Sequence, residues 1–117
     1  MITLVIPGKP IVKKNSRCWG RGRPYKSAPL REYEYQAMTA LRAQWGDRDT
    51  IDYPVWCHTW IWVPDRRRRD VSNLLEVIQD SLEGAGVVAN DSLLVPRPHP
   101  LRINKERPET WVRLERI

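Results

Sequence analysis

Cysteine is scarce and apolar runs are short in this 117-residue chain, and each shortage removes a class of protein. The two cysteines, Cys18 and Cys57, stand far apart and show no metal-ligand spacing. That argues against a disulfide framework or a zinc ribbon, and both thiols are expected to be reduced. His58 follows Cys57 directly, but neighbours on a strand point to opposite faces, so the pair is not half of a zinc site. No apolar run approaches membrane-spanning length, and the first residues are too poor in apolar side chains for a signal peptide. The expectation is a chain with no membrane contact and a cytoplasmic location. Internal repeats and low-complexity tails are lacking too. The length suits one domain, residues 1–117, small enough that oligomerisation would help it.

What the chain has in excess is arginine. Lysine and arginine number 20 against 14 acidic residues, a formal charge of +6, and arginine outnumbers lysine fifteen to five. A planar guanidinium offers paired donors and stays charged at any physiological pH, so this balance points to nucleic acid.

Ile2 to Ile6 is a β-branched strand ended by Pro7-Gly8. From Lys9 to Lys26 basic residues mix with proline and glycine, which predicts a basic loop, partly ordered on binding. Trp19 and Tyr25 interrupt it, as rings that either stack on bases or pack back on the domain. Pro29 to Trp45 is a helix with Leu30, Tyr33, Ala37, Met38, Leu41 and Trp45 on one face and Gly46 as terminator.

Val55 to Val63 alternates as a strand, with Trp56, Trp60 and Trp62 on one face and Val55, Cys57, Ile61 and Val63 on the other. Two apolar faces predict a central strand covered on both sides, its tryptophans in core or dimer packing rather than base stacking. Val71 to Glu83 is a second helix with Asp70 as N-cap and Gly84 or Gly86 as its end. Val71, Leu74, Leu75, Ile78 and Leu82 share its apolar face, and Asn73, Glu76 and Asp80 form a stripe well off it. Of two further strands, the one after Leu93 is broken by Pro96, Pro98 and Pro100 and should lie at an edge. The other, Thr110 to Ile117, closes the sheet. The class is α/β (α+β), in the order β-loop-α-β-α-β-β.

The chemistry concentrates between Pro64 and Asp91. Arg66 to Arg69 run directly into Asp70, and Asn90-Asp91 come after the second helix. Arginines of this density suit phosphate, and carboxylates beside them suit a divalent cation. Together they are the minimal inventory of a magnesium-dependent nuclease. Each carboxylate also has a plain alternative, Asp70 as a helix cap and Asp91 as a turn residue. A short connection after the helix is expected to bring Asp91 back beside it, close enough to cluster.

These residues carry a resemblance. The run Pro64-Asp65-Arg66-Arg67-Arg68-Arg69-Asp70-Val71-Ser72-Asn73-Leu74, then Asp80-Ser81-Leu82, Gly84-Ala85-Gly86-Val87 and Asn90-Asp91, resembles the RusA family of Holliday junction resolvases. The order of strand, basic loop, helix and tryptophan-rich strand extends the likeness over nearly the whole chain. It implies a small mixed sheet and a homodimeric, magnesium-dependent endonuclease (Mn²⁺ as a substitute) that nicks four-way DNA junctions in pairs during recombination and repair. Carriage on prophages, hence a bacterial or phage origin, is implied as well.

Asp70 matches the first catalytic, metal-linked aspartate of that pattern and Asp91 the last. Two positions depart: Ser72 stands where the pattern has another aspartate, and Glu76 where it has a lysine. Glu76 or Asp80, one turn apart beside Asp70, is then expected to supply the missing ligand, so the catalytic set is Asp70, Asp91, Asp80 and Glu76. Arg67, Arg68 and Arg69 would bind flanking phosphates, and Lys13, Lys14, Arg17, Arg21 and Arg23 would track a second DNA arm. Two other readings stay open: a weakened or inactive junction binder on the same scaffold, and a basic RNA- or protein-binding adaptor.

Overall fold

The computed structural model describes residues 2–12, 17–20 and 23–117, with the backbone alone at 17–20, 23 and 24. The chain runs β1 (Ile2–Pro7), β2 (Arg17–Gly20), β3 (Arg23–Lys26), α1 (Ala28–Trp45), β4 (Val55–Val63), α2 (Val71–Gly84), a 3-10 turn (Asp91–Leu93), β5 (Leu94–Pro98), β6 (Arg102–Ile103) and β7 (Glu109–Arg116). It is an α+β fold with a mixed sheet, as the element order implied.

The main sheet has the order β1-β7-β4-β5, with β6 adding to β4 beyond β5. β7 is antiparallel to both β1 and β4, whereas β5 and β6 are parallel to β4. The last long strand therefore fills the middle of the sheet instead of closing its side. The proline-rich β5 lies at the edge, where a missing N–H breaks no ladder on its outer side. The outer edge of β1 is covered by a side chain: the Gln44 amide accepts from Val5 N–H at 2.8 Å and donates to Val5 C=O at 2.7 Å. One amide thus stands in for a missing strand.

α2 starts directly after Asp70, the cap the sequence offered. Ser27 accepts the Leu30 N–H at the start of α1, one residue before the expected boundary, and Gly46 ends the helix at φ +64°. Leu30, Tyr33, Ala37, Leu41 and Trp45 form its buried stripe. α1 packs on β1 and α2, and a Cβ at Gly84 would come within 2.6 Å of the Met38 sulfur, so the helices cross closely there. On α2 the buried residues are Leu74, Val77, Ile78, Ser81 and Leu82. The apolar face is thus rotated from the expected one, leaving Val71 and Leu75 half-buried. Ser81 fits a buried face because its hydroxyl donates to the Val77 carbonyl at 2.8 Å. No helix among the described residues is long and apolar enough to cross a membrane.

Two expectations need correction. The stretch 9–26 is not all loop, because β2 and β3 pair as an antiparallel hairpin, Arg17 opposite Lys26 and Gly20 opposite Arg23. A two-stranded ribbon satisfies its backbone without an apolar alternation, so charge hid it. The Lys26 ammonium ties its end to Glu34 of α1 at 2.9 Å, and Tyr25 is exposed rather than packed back.

The second correction concerns β4. Val55, Cys57, Thr59, Ile61 and Val63 are buried under the helices, but Trp56, His58, Trp60 and Trp62 on the other face are only partly covered. Rings and arginine stems shield one another there: Arg97 lies 4.0 Å from the Trp56 centroid and Arg113 5.3 Å from that of Trp60. Tryptophan scores as apolar in a pattern, yet its π face is also satisfied by a guanidinium. Cys57 is a free, buried thiol, and burial pushes it up to about 11, which keeps it protonated and unreactive.

Candidate active site

The connection from β4 to α2 carries the arginines, and Asp65 organises it. Its Oδ1 accepts the Arg67 backbone N–H at 3.0 Å and Arg69 Nη2 at 2.7 Å. Arg69 Nη1 donates to the carbonyls of Asp65 and Arg67, both at 3.0 Å. The Arg67 N–H first, then Arg69, holds the Asp65 carboxyl below its usual range. The Arg69 side chain is 10% exposed and its donors are largely used inside the loop, whereas the Arg67 side chain is 82% exposed. Arg69 is thus a brace, while Arg66, Arg67 and Arg68 face outward. Arg67 to Arg69, Leu74 and residues Lys9 to Val12 line an open groove of about 270 Å³. Backbone and charge there suit a phosphate.

Asp70 caps α2. Its Oδ1 accepts the Ser72 backbone N–H at 3.0 Å and its Oδ2 the Asn73 amide at 3.3 Å. Each oxygen keeps a lone pair for another partner, and the residue is exposed. The capping role and a role in chemistry are compatible.

Asp91 is placed by the other end of α2. Gly86 turns the chain at φ +78°, and Thr50 Oγ1 donates to the Gly86 carbonyl at 2.8 Å. Ile51 then exchanges backbone bonds with Val87 and Ala89, both at 2.9 Å. Asn90 caps the 3-10 turn by accepting the Ser92 N–H at 2.8 Å. The Asp91 N–H donates to Glu83 Oε1 at 2.9 Å.

Glu83, which holds the Asp91 backbone, is a residue that the sequence pattern does not single out. Its one signal is a carboxylate in the last turn of a helix, where the dipole disfavours it and some other contact must hold it.

These placements separate the expected catalytic set. At about 1.5 Å of rise per residue, Asp70 and Glu83 are ~20 Å apart along α2, with Glu76 and Asp80 at ~9 and ~15 Å from Asp70. Asp91, bound to Glu83, therefore lies at the far end of the helix from Asp70, not beside it. The sheet agrees: Leu94 pairs with Val55 at the start of β4, while Asp70 comes after the end of β4. Glu76 is exposed and Asp80 half-buried between the two ends. Among the described residues, no three histidine, cysteine, aspartate or glutamate side chains gather as a metal group.

The donors fit a hard divalent cation in kind, being exposed or half-exposed carboxylates. In number they fit one within this chain only as separate pieces. Of the basic residues expected to track DNA, Lys13, Lys14 and Arg21 lie outside the described residues. Arg17 and Arg23 are described by backbone alone, on the two strands of the hairpin.

Comparison with known proteins adds to this geometry. Residues 7–115 match the family model described as "Endodeoxyribonuclease RusA". The crossover junction endodeoxyribonuclease RusA of Aquifex aeolicus (strain VF5) is 33% identical over 94 residues, covering 80% of this chain and 74% of that protein. The family match takes in the arginine loop, both ends of α2 and the strands from β4 into β7.

Proposed function

Because this chain belongs to the RusA endodeoxyribonuclease family, we propose that it is a magnesium-dependent resolvase of four-way DNA junctions that acts as a homodimer. The observation that carries the reading is the position of Asp70 and Asp91 at opposite ends of α2. Mg²⁺ binds with one or two carboxylates and keeps several waters, so it needs two of these groups close together, not four. A two-fold axis that sets α2 antiparallel to its mate brings Asp70 near Asp91 of the partner subunit, and does so twice. Two composite sites match two strands to be nicked.

Within each site Asp70 and the partner's Asp91 would hold the cation, which when bound supplies Lewis acidity and a more acidic water. The chain's own residues do the rest. Asp65 and Arg69 keep the arginine loop in one shape, so Lys9, Arg67 and Arg68 meet the phosphates flanking the cut. Their charge also supports the developing oxyanion, a role the family pattern gives to a lysine where this chain has Glu76. Glu83 fixes the backbone that presents Asp91. Asp80, one turn before Glu83, is the next acidic side chain of α2 toward that end. Ser72 contributes its backbone N–H to orient Asp70.

The test is complementation on a synthetic four-way junction in Mg²⁺, with Mn²⁺ as substitute. Asp70→Asn and Asp91→Asn variants should each bind the junction and not nick it. Mixed and allowed to exchange subunits, they should regain nicking, because each mixed dimer rebuilds one composite site; random exchange restores about a quarter of the sites. No recovery in the mixture, with exchange verified, would overturn the shared site. Junction binding by the wild-type protein without nicking in either metal would favour the inactive-binder reading instead.

A further inference from the structure

The sheet face turned away from the helices carries a second site. Thr3, Trp60, Trp62, Arg102, Trp111 and Arg113 line an open pocket of about 310 Å³. That is the lower end of small-ligand volumes, room for one flat group with its substituents and too little for a stacked duplex.

The rings on this face are not equivalent. Trp60 is already stacked, with His99 4.4 Å away at 10° between planes and Arg113 at 5.3 Å. Trp56 is covered by Arg97. Among the described residues, the Trp62 and Trp111 rings meet each other and no third ring, with centroids 5.8 Å apart and planes 57° apart, as an open jaw rather than a closed stack. Trp111 is 40% exposed, yet its ring is fixed because the indole N–H donates to Glu109 Oε1 at 3.0 Å. A fixed, exposed indole loses little freedom when a second ring lies against it.

We propose that this pocket takes one unpaired nucleotide of a DNA strand, its base in the jaw of Trp62 and Trp111 and its phosphate met by Arg102 and Arg113. The lining has two cations and no carboxylate, so its charge is complementary to phosphate. Of the carboxylates elsewhere on the face, Glu109 is engaged by Trp111 and, at 3.5 Å, by Arg107, and Glu115 lies 3.4 Å from His58 Nε2. A second copy of the chain is the poorer occupant, since an isologous contact sets this face, where Arg97, Arg102 and Arg113 outnumber Glu109 and Glu115, on an equally basic copy of itself. A paired base has its π faces hidden in the duplex and cannot enter. Trp62 is one residue from the end of β4, where the arginine loop begins, so the pocket and the basic groove share one end of the sheet. The inference rests on the DNA reading above and adds which feature of the DNA is held.

Single-stranded pentathymidylate and an abasic pentamer of equal charge separate this site from general phosphate binding. In ¹H–¹⁵N spectra the indole N–H signals of Trp62 and Trp111 should move with pentathymidylate and stay with the abasic strand. Trp111→Ala should weaken pentathymidylate binding about tenfold and leave the abasic strand unchanged, while Arg67→Ala/Arg68→Ala weakens both alike. Equal binding of the two strands by the wild-type protein, or no effect of Trp111→Ala, overturns the proposal. So does a dimer that Trp111→Ala dissociates, which would make the face an interface between copies. Junction nicking is read separately: base-dependent binding without nicking would spare the pocket and sink the nuclease reading, and nicking without base-dependent binding the reverse.

Discussion

Glu83 Oε1 accepts the backbone N–H of Asp91 at 2.9 Å, so the last turn of α2 holds the residue proposed as a cation ligand. The contact is indirect but specific: it orients a peptide, and the peptide orients a carboxylate. Glu83→Ala should cost about 1 kcal/mol of stability as a charge-assisted bond at a solvated site. It should lower nicking at least tenfold with junction affinity nearly unchanged. Glu83→Gln keeps an acceptor oxygen and should restore most of the nicking, as single-turnover kinetics would show.

Asp65 and Arg69 form the brace of the arginine loop. With Asp65→Asn the loop should loosen, the Arg69 guanidinium signals should sharpen in ¹⁵N spectra, and junction affinity at neutral pH should fall several-fold. The pH dependence has a definite sign. The Asp65 carboxyl is held below its ordinary value of 3.8, chiefly by the Arg67 N–H and then by Arg69. A depressed carboxyl contributes order that is fully present above its unfolded value and disappears as pH falls through the folded one. The loop should therefore stay unchanged from pH 8 to 5 and loosen only below about pH 4.

Arg67 and Arg68 should act as simple phosphate contacts. Replacing both with alanine should reduce the slope of log affinity against log salt by about 1 to 2 units, near 0.9 for each phosphate no longer neutralised. Arg69→Ala should behave differently, changing loop order and thermal stability as well as affinity. Equal behaviour of all three arginines in salt titrations and melting curves would remove the distinction between brace and contact.

Gly86 turns the chain toward Asp91 at φ +78°, with open space where a Cβ would be. Strain rather than collision is the expected effect of Gly86→Ala, about 1 to 2 kcal/mol for a left-handed residue. Because Val87 to Ala89 are pinned on Ile51, the strain should pass to Asn90 and Asp91. Nicking should fall more than the loss of folded protein explains, measured as kcat at a temperature well below Tm.

The helices and the long strands were legible because caps and periodicity agreed. Pro29 and Asp70 mark the starts of helices whose apolar spacing is close to 3.6, and Val55 to Val63 alternates without a break. The β2–β3 hairpin was not legible, since Arg17, Arg23 and Lys26 read as a charged loop and a ribbon on the surface needs no apolar face. How far the tryptophan face is covered within one chain was not legible for a related reason. A pattern records that Trp56, Trp60 and Trp62 are apolar, and it cannot record that arginines from β5 and β7 will cover two of them and leave the third in an open jaw.

By itself the sequence determined the chemistry on offer: arginines leading into Asp70, an amphipathic α2 and Asp91 after a glycine turn. Those depend on residue type and local spacing, which are written in order along the chain. Only the tertiary structure decided where the pieces meet. β4 and β5 run parallel, so α2 must carry the chain back along the strands, and the arginine loop before it and the glycine turn after it lie at opposite ends of those strands. That crossover puts Asp70 and Asp91 about a helix length apart, a separation that no reading of residue order could supply.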